Sequence, residues 1–168
     1  MIFMNKEELF LQEKLNDIGW KNHSNNDIEE LTINLKNLGY SINCLQKNFL
    51  IKYANIEFNF YNPKLKGYSI NDLIKLRNPE HKFNSEIESK YRLSFNPIEA
   101  AESILYYVVQ EYEKTLNKRL LIIGQLENEN ISLFISEDGY FYGGYDENII
   151  EYGDSFEKMI YSIIQDND

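Results

Sequence analysis

The stretch Ile131 to Tyr152, ISLFISEDGYFYGGYDENIIEY, constrains the fold of this chain more than any other. An apolar run is followed by Glu137-Asp138-Gly139, an aromatic run, Gly143-Gly144 and a short third run. Asp-Gly between two β-rich segments is a hairpin signal, because glycine accepts the positive φ of a tight turn. Ile131, Leu133 and Ile135 alternate with Ser132 and Ser136, broken only by Phe134, which predicts a half-buried strand. Tyr140 and Tyr142 share one face of the next strand, with Phe141 on the other. Gly143-Gly144 predicts a bend or bulge. An isolated hairpin is only marginally stable in water. The rest of the chain must therefore supply neighbouring strands and covering helices.

A chain of 168 residues suits a single domain, here read as spanning 1–168. At this size roughly 70% of the unfolded surface is buried on folding, so neither a disulfide nor a metal is required. The single cysteine, Cys44, excludes a disulfide framework and points to a reducing cytoplasm. The opening MIFMNKEELFLQEK has no basic segment leading into an apolar one, and no signal peptide is expected. The longest apolar-rich stretch, Ile98 to Tyr112, is too short for a bilayer and carries Glu99 and Glu102. A soluble cytoplasmic protein is expected.

The net charge of −10 is unevenly placed. Residues 126–168 hold eleven acids against Lys158 alone, while acids and bases balance over residues 1–125. The last quarter thus carries the entire net charge. Such a field repels nucleic acid and membrane surfaces and speeds association with a basic partner.

Along the chain, residues 5–18 predict a first helix with Leu11, Leu15 and Ile18 on one face, stopped by Gly19. Asn26 and Glu29 form a capping box for a second helix striped by Ile28, Leu31, Leu35 and Leu38, with Gly39 as its C-terminal cap. Short strands are expected over Ser41–Leu45, Phe49–Tyr53 and Ile56–Tyr61, the last ended by Asn62-Pro63. Ile70–Leu76 reads as a turn or two of helix, and Asn78–Ser94 as a polar connection. Asn96-Pro97 opens what is expected to be the longest helix, apolar from Ala100 to Leu116. Leu120–Gly124 predicts a strand buried on both faces, and Asp154-x-x-Glu157 caps a last helix with Phe156, Ile160, Ile163 and Ile164 inward. Strands and helices are segregated, which gives an α+β class with a single, mainly antiparallel sheet backed by helices.

Motifs for chemistry are lacking. His23 and His81 stand apart in polar stretches, and no His-x-x-x-His, Cys-x-x-Cys or Asp-x-Asp spacing offers a metal site. No glycine run cradles phosphate. Cys44, read in a strand, is expected to be a small buried apolar residue. Glu137 and Asp138 beside Gly139 read as turn residues and not as an acid–base pair. No catalytic residue, metal or cofactor is assigned. The chain does carry tyrosine, with 13 copies, more than a core can hold with every hydroxyl satisfied. Tyr140, Tyr142, Tyr145 and Tyr152 are interleaved with Asp138, Asp146, Glu147 and Glu151. Tyrosine among acids suits a basic protein partner, so Asp138, Tyr140, Tyr142, Tyr145, Asp146, Glu147 and Glu151 are the candidate partner-binding residues.

Several motifs carry a family resemblance in their order. Gly19-Trp20 follows the first helix, Leu38-Gly39 ends the second, and Phe60 closes a strand before Asn62-Pro63. Then come Leu120-Leu121-Ile122-Ile123-Gly124, Leu133-Phe134-Ile135, Asp138-Gly139-Tyr140-Phe141-Tyr142 and Gly153-Asp154-Ser155. In this order the chain resembles the SUKH superfamily of bacterial immunity proteins, closest to its third subgroup. The resemblance runs along nearly the whole chain. It implies an α+β fold and a protein that binds and blocks a cognate polymorphic toxin, frequently a nuclease or deaminase. It implies no catalytic residue, and because toxin-binding residues vary with the toxin it assigns none here. The expectation is therefore a non-enzymatic immunity protein whose acidic, tyrosine-rich surface occludes a basic toxin, with no nucleic acid, membrane or small-molecule substrate. The alternative is an interaction or regulatory module of the same fold without a toxin. A third possibility, a small enzyme, would need a polar cluster around His23 or His81.

Overall fold

The computed structural model describes residues 3–21, 28–61 and 90–165. Six strands form one sheet in chain order, every neighbouring pair antiparallel. They are β1 (Glu57–Tyr61), β2 (Lys90–Ser94), β3 (Leu120–Leu126), β4 (Ile131–Ser136), β5 (Phe141–Tyr145) and β6 (Asn148–Gly153). The described helices are α1 (Lys6–Asp17), α2 (Glu29–Asn37), α3 (Cys44–Tyr53), α4 (Pro97–Glu102), α5 (Tyr106–Leu116) and α6 (Phe156–Ile164). The α+β class with a single antiparallel sheet is as expected.

The first helix keeps its predicted bounds because Asn5 caps it, accepting from Glu8 N at 2.8 Å while the Glu8 carboxylate accepts from Asn5 N. Leu11 and Leu15 are buried, whereas Ile18 lies past the end of the helix and is largely exposed. In α2, Leu35 is fully buried and Gly39 takes a φ of +111°. The predicted Asn26 cap, both histidines and the segment Ile70–Leu76 lie outside the described residues.

Two predicted strands, Ser41–Leu45 and Phe49–Tyr53, are replaced by helix α3. Asn43 accepts from Gln46 N at 2.9 Å and the Gln46 side chain accepts from Asn43 N at 2.9 Å, a reciprocal cap that starts the helix at Cys44. Cys44, expected to be buried, is therefore exposed at the first helical position. The Phe49 ring enters the core, with the rings of Phe156, Phe141 and Phe95 at 5.1, 5.5 and 6.5 Å. This aromatic cluster covers one face of the sheet.

The expected long helix is two helices. Ser103 Oγ donates to the Glu99 carbonyl at 3.1 Å, the back-bond that bends helical backbone, and Leu105 at the junction is 65% exposed. Part of the expected polar connection is strand β2, in which Tyr91 and Leu93 turn into the core. The ring of Tyr112 in α5 covers the other face of the sheet, 5.9 Å from that of Phe134. With helices on both sides, β4 is buried from Leu133 through Ser136, not half-buried as its alternation suggested. β3 is buried on both faces, as predicted. The last helix is capped by Ser155, which accepts from Lys158 N at 3.3 Å, one residue later than the Asp154 expected.

Gly143-Gly144 does not break the chain, because β5 runs straight through both glycines. The irregularity falls opposite Phe141 and Tyr142, where β6 gains an extra residue at Tyr152.

Candidate functional site

The β4–β5 turn presents Asp138 and Tyr140. Gly139 supplies a φ of +88°, and its N–H donates to the Ser136 carbonyl at 3.0 Å. Ser136 is buried; its hydroxyl donates to the Asp138 carboxylate and accepts from Tyr140 N at 3.0 Å. Asn117, in left-handed backbone with φ +54°, ends α5 and leads directly into Lys118. Lys118 Nζ lies 2.9 Å from Asp138 Oδ2, donates to the Tyr142 hydroxyl at 3.0 Å and stands 4.2 Å from the Tyr140 ring centre. The Tyr142 hydroxyl in turn donates to Glu151 at 3.4 Å. Three of the seven candidate residues thus gather around one cation, and a fourth, Glu151, is tied to them through Tyr142.

Charge follows from this geometry. The Ser136 hydroxyl and then Lys118 hold the Asp138 carboxyl below its usual range. The bond to Tyr142, then the one to Asp138, push the Lys118 ammonium above its usual value. Asp138 is therefore a neutralised acid. Tyr142 is 3% exposed, so its ring serves as the floor of the cluster and only its hydroxyl reaches the polar layer.

Tyr145, Asp146 and Glu147 lie elsewhere. They sit at the β5–β6 turn, separated from the first group by the length of β5, about 15 Å at the usual strand rise. All three are exposed, and Asp146 holds a φ of +51°. The Tyr112 hydroxyl donates to the Asp146 carbonyl at 2.6 Å and anchors this turn to α5. Burial, then the Asp146 charge, raise the Tyr112 pKa. Among the described residues no ion pair is made by Asp146, Glu147 or Glu151.

Other acids of the last quarter are engaged. Arg92 reaches Glu57, Glu127 and Glu99, the last at 3.2 Å. Its bond to Glu57, then the other carboxylates, raise the guanidinium pKa. Tyr91 donates to Glu129, and Asp154 pairs with Lys158 at 2.7 Å. Sequence reasoning missed the Arg92 hub because β2 itself was not recognised. The available signal was Tyr91-x-Leu93-x-Phe95, a period of two. Among the described residues no group of three or more His, Cys, Asp or Glu side chains could hold a metal. None of the described helices is long and apolar enough to cross a membrane.

Compared with known families, residues 10–166 match the model of the SUKH-3 immunity protein family. The chain belongs to that family. No curated protein matches it, and no solved structure does. The motifs that carried the resemblance to SUKH proteins serve the fold. Gly19 takes a φ of +74°, the Trp20 indole donates to the Lys52 carbonyl at 3.2 Å and stacks on Tyr53, and Gly153 takes a φ of +119°. Leu120 through Ile123 and Leu133 through Ile135 form the centre of the SUKH sheet. In this SUKH-3 protein the motif residues serve packing and turns, while the exposed acids Asp146, Glu147 and Glu151 make no ion pair among the described residues.

Proposed function

We propose that this SUKH-3 protein binds a cognate polymorphic toxin, a nuclease or deaminase, and neutralises it by occluding its active site. Binding, not catalysis, carries the effect, and the bacterial cytoplasm is where it acts. A lone thiol such as Cys44 stays reduced there. The observation that supports the reading is that Asp146, Glu147 and Glu151 are exposed and, among the described residues, make no ion pair, in the quarter of the chain that holds all its net charge. A toxin that handles nucleic acid needs basic residues to meet phosphate. An acidic surface flanked by Tyr145 and Tyr140 complements such a cleft and accelerates docking.

The test is to recover the toxin by affinity capture and mass spectrometry, produce its domain, and follow association at several salt concentrations. Reversing Asp146, Glu147 and Glu151 to Lys is expected to slow association about tenfold or more and to flatten its salt dependence. Unchanged association by a variant that still folds places the docking surface elsewhere.

A further inference from the structure

Among the described residues β6 is the last strand of the sheet, with β5 on one side and no strand on the other. Its register places Tyr145 opposite Asn148 across a two-residue turn, which makes them the hydrogen-bonded closing pair. Antiparallel alternation then turns the N–H and C=O groups of Ile149 and Glu151 away from β5. Among the described residues none hydrogen-bonds to these outward groups. Natural edge strands are blunted by Pro, Lys or inward charge, yet Asn148 to Glu151 carries neither Pro nor Lys. The Tyr152 bulge protects only the far end.

The side chains say what fits there. Ile149 and Glu151 lie on the Tyr112 side of the sheet, because they pair with Gly144 and Tyr142, and Ile150 lies on the other. Ile149 and Ile150 are half-buried, while Glu147 and Glu151 are exposed and, among the described residues, in no ion pair. A strand laid alongside would therefore meet apolar side chains opposite Ile149 and Ile150 and cations opposite Glu147 and Glu151. A second copy of this chain fits poorly, since antiparallel self-pairing brings Glu147 and Glu151 of both copies to one acidic seam.

We propose that the β6 edge is a strand-addition site that takes an extended basic segment of the toxin, held by backbone hydrogen bonds to Ile149 and Glu151. This rests on the reading that the acidic quarter docks a basic toxin, and adds the mode of docking. Main-chain pairing supplies affinity and the flanking acids select a Lys- or Arg-bearing strand.

The probe is the peptide Thr-Lys-Val-Val-Thr-Lys-Thr, which in antiparallel alignment sets its lysines opposite Glu151 and Glu147. Its control is the same peptide N-methylated at the two amides that would face Ile149 and Glu151. Amide hydrogen exchange by NMR reads the outcome. The plain peptide is expected to slow exchange at Ile149 and Glu151 about tenfold or more, and the methylated one to leave it unchanged. Glu151→Pro, which removes an outward amide that β5 does not use, is expected to abolish the effect with the fold retained. Equal binding of both peptides overturns strand addition and leaves charge-driven docking standing. Absence of binding by either at about 1 mM, the weak limit of specific association, also overturns it, and charge reversal against the toxin domain then decides the acidic reading alone. Protection that grows with protein concentration in the absence of peptide assigns the edge to a second copy and overturns the proposal.

Discussion

The Tyr112 ring occupies the space that a side chain on Gly144 would need: a Cβ built there stands 2.5 Å from Tyr112 Cε2. That ring cannot retreat freely, since its hydroxyl is held at 2.6 Å by the Asp146 carbonyl. Gly144→Ala is therefore expected to cost about 1–3 kcal/mol, the range for overpacking a tight core. Gly124→Ala is expected to cost more. Its Cβ would stand 2.3 Å from the Ser94 carbonyl oxygen, and backbone yields less than a side chain. Urea denaturation of the two variants checks the order; equal losses would mean that β2 and β3 separate easily.

The Lys118 cluster gives a pH signature. The Asp138 carboxyl is depressed, by Ser136 first, so its contribution is complete above the unfolded value near 3.9 and disappears as pH falls through the lower folded value. The Lys118 ammonium is raised, so its contribution is complete below about 10.4 and is lost as pH climbs through the higher folded value. The cluster is thus fully formed across the neutral range. Asp138→Asn is expected to flatten the acid limb of the stability curve. With the Asp138 side chain 46% exposed, solvent screening keeps the difference under about 1 kcal/mol. Denaturation midpoints from pH 3 to 7, taken for both proteins, test this; parallel curves would remove Asp138 as a source of acid sensitivity.

Asp146 sits at φ +51° in a two-residue turn, a conformation that glycine adopts without strain. Asp146→Gly is expected to hold or raise stability by up to about 1 kcal/mol, part of the gain being offset by the added freedom of the unfolded chain. Asp146→Val adds a β-branched side chain in left-handed backbone and is expected to lose about 1–2 kcal/mol. Thermal melts of the pair separate backbone strain from charge, because both substitutions remove the same carboxylate.

Legibility in the sequence tracked how local each signal was. The Asp138-Gly139 turn, strand β3, the α6 stripe and the Gly39 cap each rest on a few adjacent residues, and each was visible. The two-sided burial of β4 was not, since Ser136 reads as a solvent-facing polar residue until Asp138 and Tyr140 N are seen to use its hydroxyl. The split between α4 and α5 was hidden because the apolar positions continue across Ser103 to Leu105 without changing phase. At the candidate surface, alternation of Tyr with acids singled out residues that the fold divides between the β4–β5 turn, the β5–β6 turn and strands β5 and β6. It could not show that Lys118, between α5 and β3, would neutralise Asp138 while Asp146, Glu147 and Glu151 make no ion pair among the described residues. Pairing between distant segments is set by sheet register, which no local pattern reports.

The strand-to-helix error at α3 leads to a final prediction, because the missed signal was Asn43-x-x-Gln46. β-prone residues such as Phe49, Ile51 and Tyr53 outweighed the cap in the sequence reading, yet the cap decides the local structure. Its two side chains also tie the helix to the site. Asn43 Nδ2 donates to the Glu137 carbonyl at 2.8 Å, and the buried Gln46 donates to the Ile135 carbonyl at 3.2 Å. Asn43→Ala is therefore expected to cost about 1–2 kcal/mol from the lost cap and to loosen the β4–β5 turn that carries Asp138 and Tyr140. Asn43→Asp retains the capping oxygen but not the amide donor, so it is expected to restore helix stability while the turn stays loose. Calorimetry reports the first effect and amide exchange at Gly139, whose N–H bonds the Ser136 carbonyl at 3.0 Å, reports the second. If Asn43→Asp restores both, the bond to Glu137 contributes nothing and the turn is held by its own hydrogen bonds alone.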